Sequence, residues 1–326
     1  MVKSTGSMRV LAVVALYNRS LEQSQTLTTL EAAFRNHPET LNSFCVLVWD
    51  NSPSALTNPK LEFPFDYFHS AKNVGTAGAF NGAMERAERM KIPWLLLLDQ
   101  DTTLPEDFLG KIAAYSQRFA DDPHVATVMP LLRCRGRLIS PNYLASFYRV
   151  VPVPPASYDT RYKEQIFACD SATLMRVSAL REAGGYDESL FWLDFSDIYV
   201  YAAFYRNGRS VYVASDLQLE HSLSTVDYDN DMTPQRYRNF LAAEGAFLYL
   251  YGSRWDNLAL TVRLPARAAK QYFRLNDKLF AKLSWRAFRD RVQFSRLQCM
   301  TTWEKELRRA PTAIGSPQDR ANSCSK

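Results

Sequence analysis

The run Trp94-Leu95-Leu96-Leu97-Leu98 is five apolar residues long and closes on Asp99-Gln100-Asp101. A short apolar run of this kind reads as a strand covered on both faces, which places it inside a sheet flanked by helices. Acids at i and i+2 of an extended segment project to the same side, because the side-chain period of a strand is two. At the mouth of a buried strand such a pair can hold a hard divalent cation, Mg2+ or Mn2+, shared with a diphosphate. The plainer reading is that Asp99 and Asp101 cap a following helix, since Thr103-Leu104-Pro105-Glu106 resembles a helix start.

The neighbouring segments repeat the pattern. Val10-Leu11-Ala12-Val13-Val14-Ala15-Leu16 is a second continuous apolar run, and residues 44–49 form a third that ends at Asp50, with a turn at Asn51-Ser52-Pro53. Between them, residues 21–36 place Leu27, Leu30, Ala33 and Phe34 at helical spacing, and residues 77–90 read as another helix. Strand and helix alternate, so the expected architecture is α/β with a mainly parallel central sheet. Ligands of such sheets bind outside the carboxyl ends of the strands. Tyr17-Asn18, Asp50-Asn51 and Asp99-Gln100-Asp101 all fall at such ends.

Further along, residues 133–165 mix Pro141, Pro152, Pro154 and Pro155 with Tyr143, Phe147, Tyr148, Tyr158 and Tyr162. That stretch either lines a carbohydrate or covers the sheet. Residues 167–176 then read as one strand, 179–183 as a short helix and Gly184-Gly185-Tyr186-Asp187 as a turn.

A chain of 326 residues with 47% hydrophobic residues can bury one large core or two smaller ones. No run approaches the roughly 18 apolar residues of a membrane span. The start Met1-Val2-Lys3-Ser4-Thr5-Gly6-Ser7 lacks the apolar core of a signal peptide, so a cytoplasmic catalytic part is expected. The five cysteines are scattered and form no C-x-x-C pair, which argues against a disulfide framework and a zinc site. Charge is uneven: residues 226–326 hold 18 Lys and Arg against 10 Asp and Glu, and residues 1–225 hold 21 against 24.

An ordered set of motifs carries a family resemblance. Asn73-Val74-Gly75-Thr76-Ala77-Gly78-Ala79-Phe80-Asn81 precedes Asp99-Gln100-Asp101, and Gly184-Gly185-Tyr186-Asp187-Glu188 and Leu190-Phe191-Trp192-Leu193-Asp194-Phe195-Ser196-Asp197 follow. Together they resemble the family 2 glycosyltransferases of the GT-A fold, and within them the bacterial rhamnosyltransferases of O-antigen and other surface polysaccharides. The resemblance implies inverting transfer from a nucleotide-sugar donor, dTDP-L-rhamnose or a UDP-sugar. The implied acceptor is a glycan, lipid-linked through polyprenyl diphosphate or part of a polysaccharide.

The same resemblance assigns residues. Tyr17 and Asp50 match positions set against the nucleotide base. Asn73, Gly75 and Gly78 belong to a donor-binding segment in which glycine lets the backbone approach, and the helix starting near Ala77 offers N–H groups to phosphate. Either glycine serves equally well in a tight structural loop. Asp101 matches a metal ligand, Asp99 lies close to ribose or metal, and His221 in Leu219-Glu220-His221-Ser222 matches a histidine that closes over the metal. Asp197 matches the general base that takes the acceptor proton, with Asp194 as the alternative if Asp197 or Ser196 caps the helix read at 198–206. Asp170 and Ser171 are implied contacts for sugar or acceptor, and Ala172 stands where relatives often carry glycine.

The resemblance covers residues 8–225, a GT-A catalytic domain. Residues 226–310 are expected to be a helical, basic C-terminal region, and 1–7 and 311–326 to be disordered. Arg263, Arg267, Lys270, Arg274, Lys278, Lys282, Arg286 and Arg289 recur every three or four residues, with Tyr272, Leu275, Leu279 and Leu283 opposite. That amphipathic segment either lies on the inner face of the cytoplasmic membrane, making the protein peripheral, or is a solvated helix. No nucleic-acid motif accompanies the basic stripe, so nucleic acid is not an expected partner. Gly75-Thr76-Ala77-Gly78 is not G-x-G-x-x-G and does not follow the first strand, which disfavours a dinucleotide oxidoreductase.

Overall fold

The computed structural model describes residues 9–162, 164–221 and 232–308. The disorder expected at 1–7 and 311–326 lies outside the described residues. The chain divides into two compact units: one of Met1–Tyr143, Val151–Tyr186 and Asp197–Ser222, the other of Leu144–Val150, Asp187–Ser196 and Leu223–Lys326.

In the first unit the apolar runs become strands β1 (Val10–Leu16), β2 (Phe44–Asp50), β3 (Asp66–His69) and β4 (Trp94–Leu98). β1 lies between β2 and β4, parallel to both, with Val13 opposite Leu47 and Leu97. Every residue of β1 and of β4 is buried, as their unbroken apolar sequences require. The strands β5 (Thr102–Thr103), β6 (Val125–Cys134), β7 (Arg137–Ser140), β8 (Asn142–Ala145), β9 (Arg149–Pro152), β10 (Arg161–Tyr162), β11 (Ile166–Phe167), β12 (Thr173–Arg176) and β13 (Ser210–His221) follow. The central sheet runs β10-β13-β6-β12-β4-β1-β2-β3. β12 is antiparallel to β4 and β6, whereas β13 is parallel to β6.

Helix α1 (Gln25–Asn36) starts four residues later than its periodicity suggests, at the Ser24 cap, whose hydroxyl accepts from Leu27 N at 3.2 Å. It buries Leu27, Leu30, Ala33 and Phe34 against the sheet core. Helix α2 (Gly75–Arg89) starts two residues earlier than expected. Its Gly82 lies under β2, where a Cβ would come within 2.3 Å of the Trp49 ring. Helices α3 (Phe108–Arg118), α4 (Val177–Glu182) and α5 (Ser196–Arg206) complete this part of the chain.

The single strand expected over 167–176 is two. Chain geometry breaks between β11 and β12, and Ala172 takes a left-handed φ of +59°. A side chain there is strained, whereas glycine would adopt this conformation without steric cost.

The second unit contains α6 (Pro234–Tyr251), α7 (Arg254–Arg274), α8 (Leu279–Gln293) and α9 (Arg296–Arg308). The eight basic residues therefore do not share one helix, because the chain turns between Arg274 and Leu279. Two of them face inward: the Arg267 guanidinium donates twice to Glu244, at 2.8 Å each, and Arg263 donates to the Tyr148 carbonyl. Buried Tyr237, Gln271 and Ser284 close a hydrogen-bonded triangle among α6, α7 and α8. Gly245 lets α9 approach α6, since a Cβ would lie 2.6 Å from the Trp303 ring.

Candidate active site

Three strand mouths in the first unit are stitched together by side chains. At the end of β4, Gln100 points away from its acidic neighbours: its Oε1 accepts from Tyr17 N at 2.8 Å, and its carbonyl accepts from the Ser24 hydroxyl. At the end of β2, Ser52 N donates to Asp50 Oδ1, and the Ser52 hydroxyl accepts from Asn18 N at 2.9 Å. Asp50 is fully buried, and its second oxygen accepts from the Tyr67 hydroxyl at 2.6 Å. Burial and that carboxylate push the Tyr67 hydroxyl up to about 12. The Asp50 carboxylate thus organises the turn that presents Asn51 and Ser52.

Asn51 reaches the glycine segment, donating to the Gly75 carbonyl at 3.0 Å while its Oδ1 accepts from Trp49 Nε1 at 3.1 Å. Asn73 Oδ1 accepts from Gly75 N at 2.9 Å, and Gly78 N donates to the Val74 carbonyl. The N–H groups of both glycines are therefore engaged within the segment. Gly75 has φ +69°, so its conformational freedom is used at this turn.

The acids after β4 do not cap a helix. Residues Thr102–Thr103 form β5, which pairs antiparallel with the end of β13 and sets His221 opposite Thr102. That pairing brings Asp99, Asp101 and His221 together, with one ligand atom from each lying within 4.8 Å of the others. His221 Nε2 is 3.5 Å from Asp99 Oδ2, and Nδ1 is 3.7 Å from Asp101 Oδ1. Two hydroxyls hold Asp99: Thr102 donates to Oδ1 and Ser171 to Oδ2, both at 2.5 Å. The same hydroxyl oxygens lie 3.1 Å from His221 Nδ1 and 3.4 Å from Nε2.

Both hydroxyl protons are spent on Asp99, so each ring nitrogen of His221 faces oxygen lone pairs. The two carboxylates, the two hydroxyl oxygens and the imidazole ring thus converge on one place. Two carboxylates and an imidazole are a fitting donor set for Mg2+ or Mn2+.

A further acidic group adjoins this cluster. Burial raises the Asp170 carboxyl well above the usual range, with the charges of Asp197 and Asp99 adding to the effect and the Tyr186 hydroxyl opposing it. Its Oδ1 is sealed from solvent and has no hydrogen-bond partner among the described residues. Burial, followed by Asp197, Asp170 and Asp99, also raises the Cys169 thiol, keeping it neutral. Asp197 sits in the first turn of α5, where its Oδ1 accepts from Ile198 N at 2.8 Å. Asp194 belongs to the second unit. Its Oδ2 is sealed and has no hydrogen-bond partner among the described residues, and burial raises its carboxyl although Arg236 pulls the other way.

Sequence reasoning did not single out Thr102 or Ser52 as site residues. Thr102 carries no signal of its own, because its role depends on pairing with a residue 119 positions away. Ser52 stands beside Asp50, and an Asx-type turn at Asp50-Asn51-Ser52 is the signal that would have found it.

The turn at 184–187 also has a structural reason. Asn81 Nδ2 donates to the Tyr186 carbonyl at 2.9 Å, and its Oδ1 accepts from Tyr186 N at 2.8 Å. Gly185, at φ +74°, leaves room for that amide.

The family model described as Glycosyl transferase family 2 matches residues 12–184, more than half of the chain. No curated protein matches in sequence. Among solved structures, residues 1–349 of S. aureus TarS share 15% identity over 92% of this chain and 90% of that one, with a TM-score of 0.46. GalNAc-T7, solved with UDP, GalNAc and Mn2+, shares 11% identity with a TM-score of 0.55, over 91% of this chain and 58% of that one. At that identity the likeness to GalNAc-T7 is one of fold.

Proposed function

Since the chain belongs to glycosyl transferase family 2, we propose that it moves L-rhamnose from dTDP-L-rhamnose, with inversion, onto a lipid-linked or polysaccharide acceptor of a bacterial surface glycan. The observation that supports metal-assisted transfer is the meeting of Asp99, Asp101 and His221; the choice of L-rhamnose rests on the motif resemblance alone. Asp99 and Asp101 would hold Mg2+ or Mn2+ with His221, and the Thr102 and Ser171 hydroxyls fix the Asp99 carboxylate. When bound, the metal supplies Lewis-acid charge against the departing diphosphate.

The remaining work falls to side chains of the protein. Tyr17, anchored through its N–H to Gln100, and the turn ordered by Asp50 would seat the nucleotide base. Asn73, Gly75 and Gly78 would shape the backbone beside the donor, and Asp170 and Ser171 would contact the sugar. Asp197 would take the proton of the acceptor hydroxyl as its oxygen attacks the anomeric carbon. Asp194, half-buried and with its carboxyl raised by burial, is the alternative base.

A UDP-sugar donor is the second reading, favoured by the UDP and Mn2+ bound to the fold relative GalNAc-T7. The test is calorimetric titration of the full chain with dTDP and with UDP, each with and without Mg2+ or Mn2+. Metal-dependent binding of dTDP that weakens in Asp101→Asn is the expected result. Preference for UDP selects the second reading, and binding of neither nucleotide overturns both.

A further inference from the structure

Helix α7 has a buried face and a second, apolar one. One buries Leu260, Leu264, Ala268 and Gln271. The other, Trp255, Leu258, Val262, Pro265, Ala269 and Tyr272, advances by alternating steps of three and four and so forms a single stripe. Trp255, Leu258, Val262 and Tyr272 are 53%, 52%, 63% and 56% exposed. Scattered exposed apolar residues are ordinary, but a continuous stripe of large ones marks a contact surface.

The far end of the stripe opens on a hollow of about 420 Å3 between α7 and α8. Pro265, Ala268, Ala269 and Ala281 are small and leave the space, while Tyr272 and Trp285 wall it. Lys282, Arg286 and Arg289 edge the same hollow. One carboxylate, Asp290, stands near the two arginines, at 3.6 Å from Arg286 and 3.9 Å from Arg289, which leaves the edge cationic. Apolar floor, aromatic walls and a cationic edge complement an acyl chain beneath a phosphate headgroup. Among the described residues no helix is long and apolar enough to cross a membrane.

We infer that the α7–α8 face docks on a membrane bearing anionic phospholipid, its apolar stripe among the acyl chains and Lys282, Arg286 and Arg289 against lipid phosphates. The inference rests on this surface alone and is independent of the donor and acceptor.

The test is flotation of the full chain with vesicles of phosphatidylcholine, with and without phosphatidylglycerol. Binding should favour the anionic vesicles and fall roughly five-fold for each cation neutralised. The combined Lys282→Gln, Arg286→Gln and Arg289→Gln variant should thus lose on the order of 100-fold. Tryptophan fluorescence should be quenched by lipids brominated in the acyl chain, and that quenching should fall in Trp285→Phe and be lost when Trp255→Phe is added, since both rings are exposed on this face. Equal binding to both vesicles, full binding by the triple variant, or absence of that quenching overturns the inference. So does self-association of the chain that covers this face and excludes lipid. Calorimetry with dTDP and UDP on the same preparations reports the catalytic site separately.

Discussion

Thr102 and His221 face one another across the β5–β13 ladder, with the Thr102 hydroxyl oxygen 3.1 Å from His221 Nδ1 and its proton donated to Asp99. A residue with no charge thereby orients both an acid and the imidazole. Thr102→Val keeps the shape and the backbone bond from Thr102 N to the Thr26 hydroxyl. Metal-dependent nucleotide binding should weaken about 10- to 100-fold, read by calorimetry, while the thermal midpoint stays close to that of the parent.

Asp197→Asn should lower the transfer rate by about 100- to 10,000-fold, the usual contribution of a positioned base. Nucleotide affinity should be unchanged. Transfer near the parent rate in Asp197→Asn, with loss in Asp194→Asn, would move the base to Asp194.

Gly184 and Gly185 separate backbone strain from collision. Both have positive φ, +88° and +74°, but a Cβ on Gly184 meets nothing within 4 Å, whereas one on Gly185 lies 2.6 Å from Asn81 Oδ1. Gly184→Ala should cost about 1 kcal/mol from the left-handed backbone alone. Gly185→Ala should cost about 2–4 kcal/mol, because it also disturbs the two hydrogen bonds of Asn81 to Tyr186. Urea unfolding of the two variants measures the difference.

Asp194 predicts a pH dependence of stability. Burial raises its carboxyl, against the pull of Arg236, so the folded chain holds this proton more tightly than the unfolded chain. The folded state then binds more protons between the ordinary carboxylate range and the raised folded value, and stability falls as pH rises through that window. Asp194→Asn removes the buried charge. It should raise the thermal midpoint at neutral pH, by an amount corresponding to about 1–3 kcal/mol, with the gain vanishing below the ordinary carboxylate range. A gain that persists undiminished at acid pH would show that ionisation is not its source.

β1, β2 and β4 are legible in the sequence because strands covered on both faces must be apolar throughout, and their polar ends then stand out. Asp99 and Asp101 are visible for the same reason. The break at Ala172 is not, because its positive φ is held by a residue that does not announce it. Pro265 lies inside α7 without ending it, while the chain leaves the helix after Arg274 with neither glycine nor proline to mark the place. The meeting of His221 with Thr102 depends on sheet pairing across more than a hundred residues, which no local pattern encodes.

Gln100 has a consequence for cooperativity between ligands. Its side chain and carbonyl fasten the segment that carries Asp99 and Asp101 to Tyr17 and to the cap of α1. The acids proposed to hold the cation and the backbone proposed to face the nucleotide are thereby tied together, like two jaws cut from a single block. Whatever steadies one jaw steadies the other, and linkage requires the benefit to be mutual: the metal ion should tighten the nucleotide by the same factor by which the nucleotide tightens the metal ion.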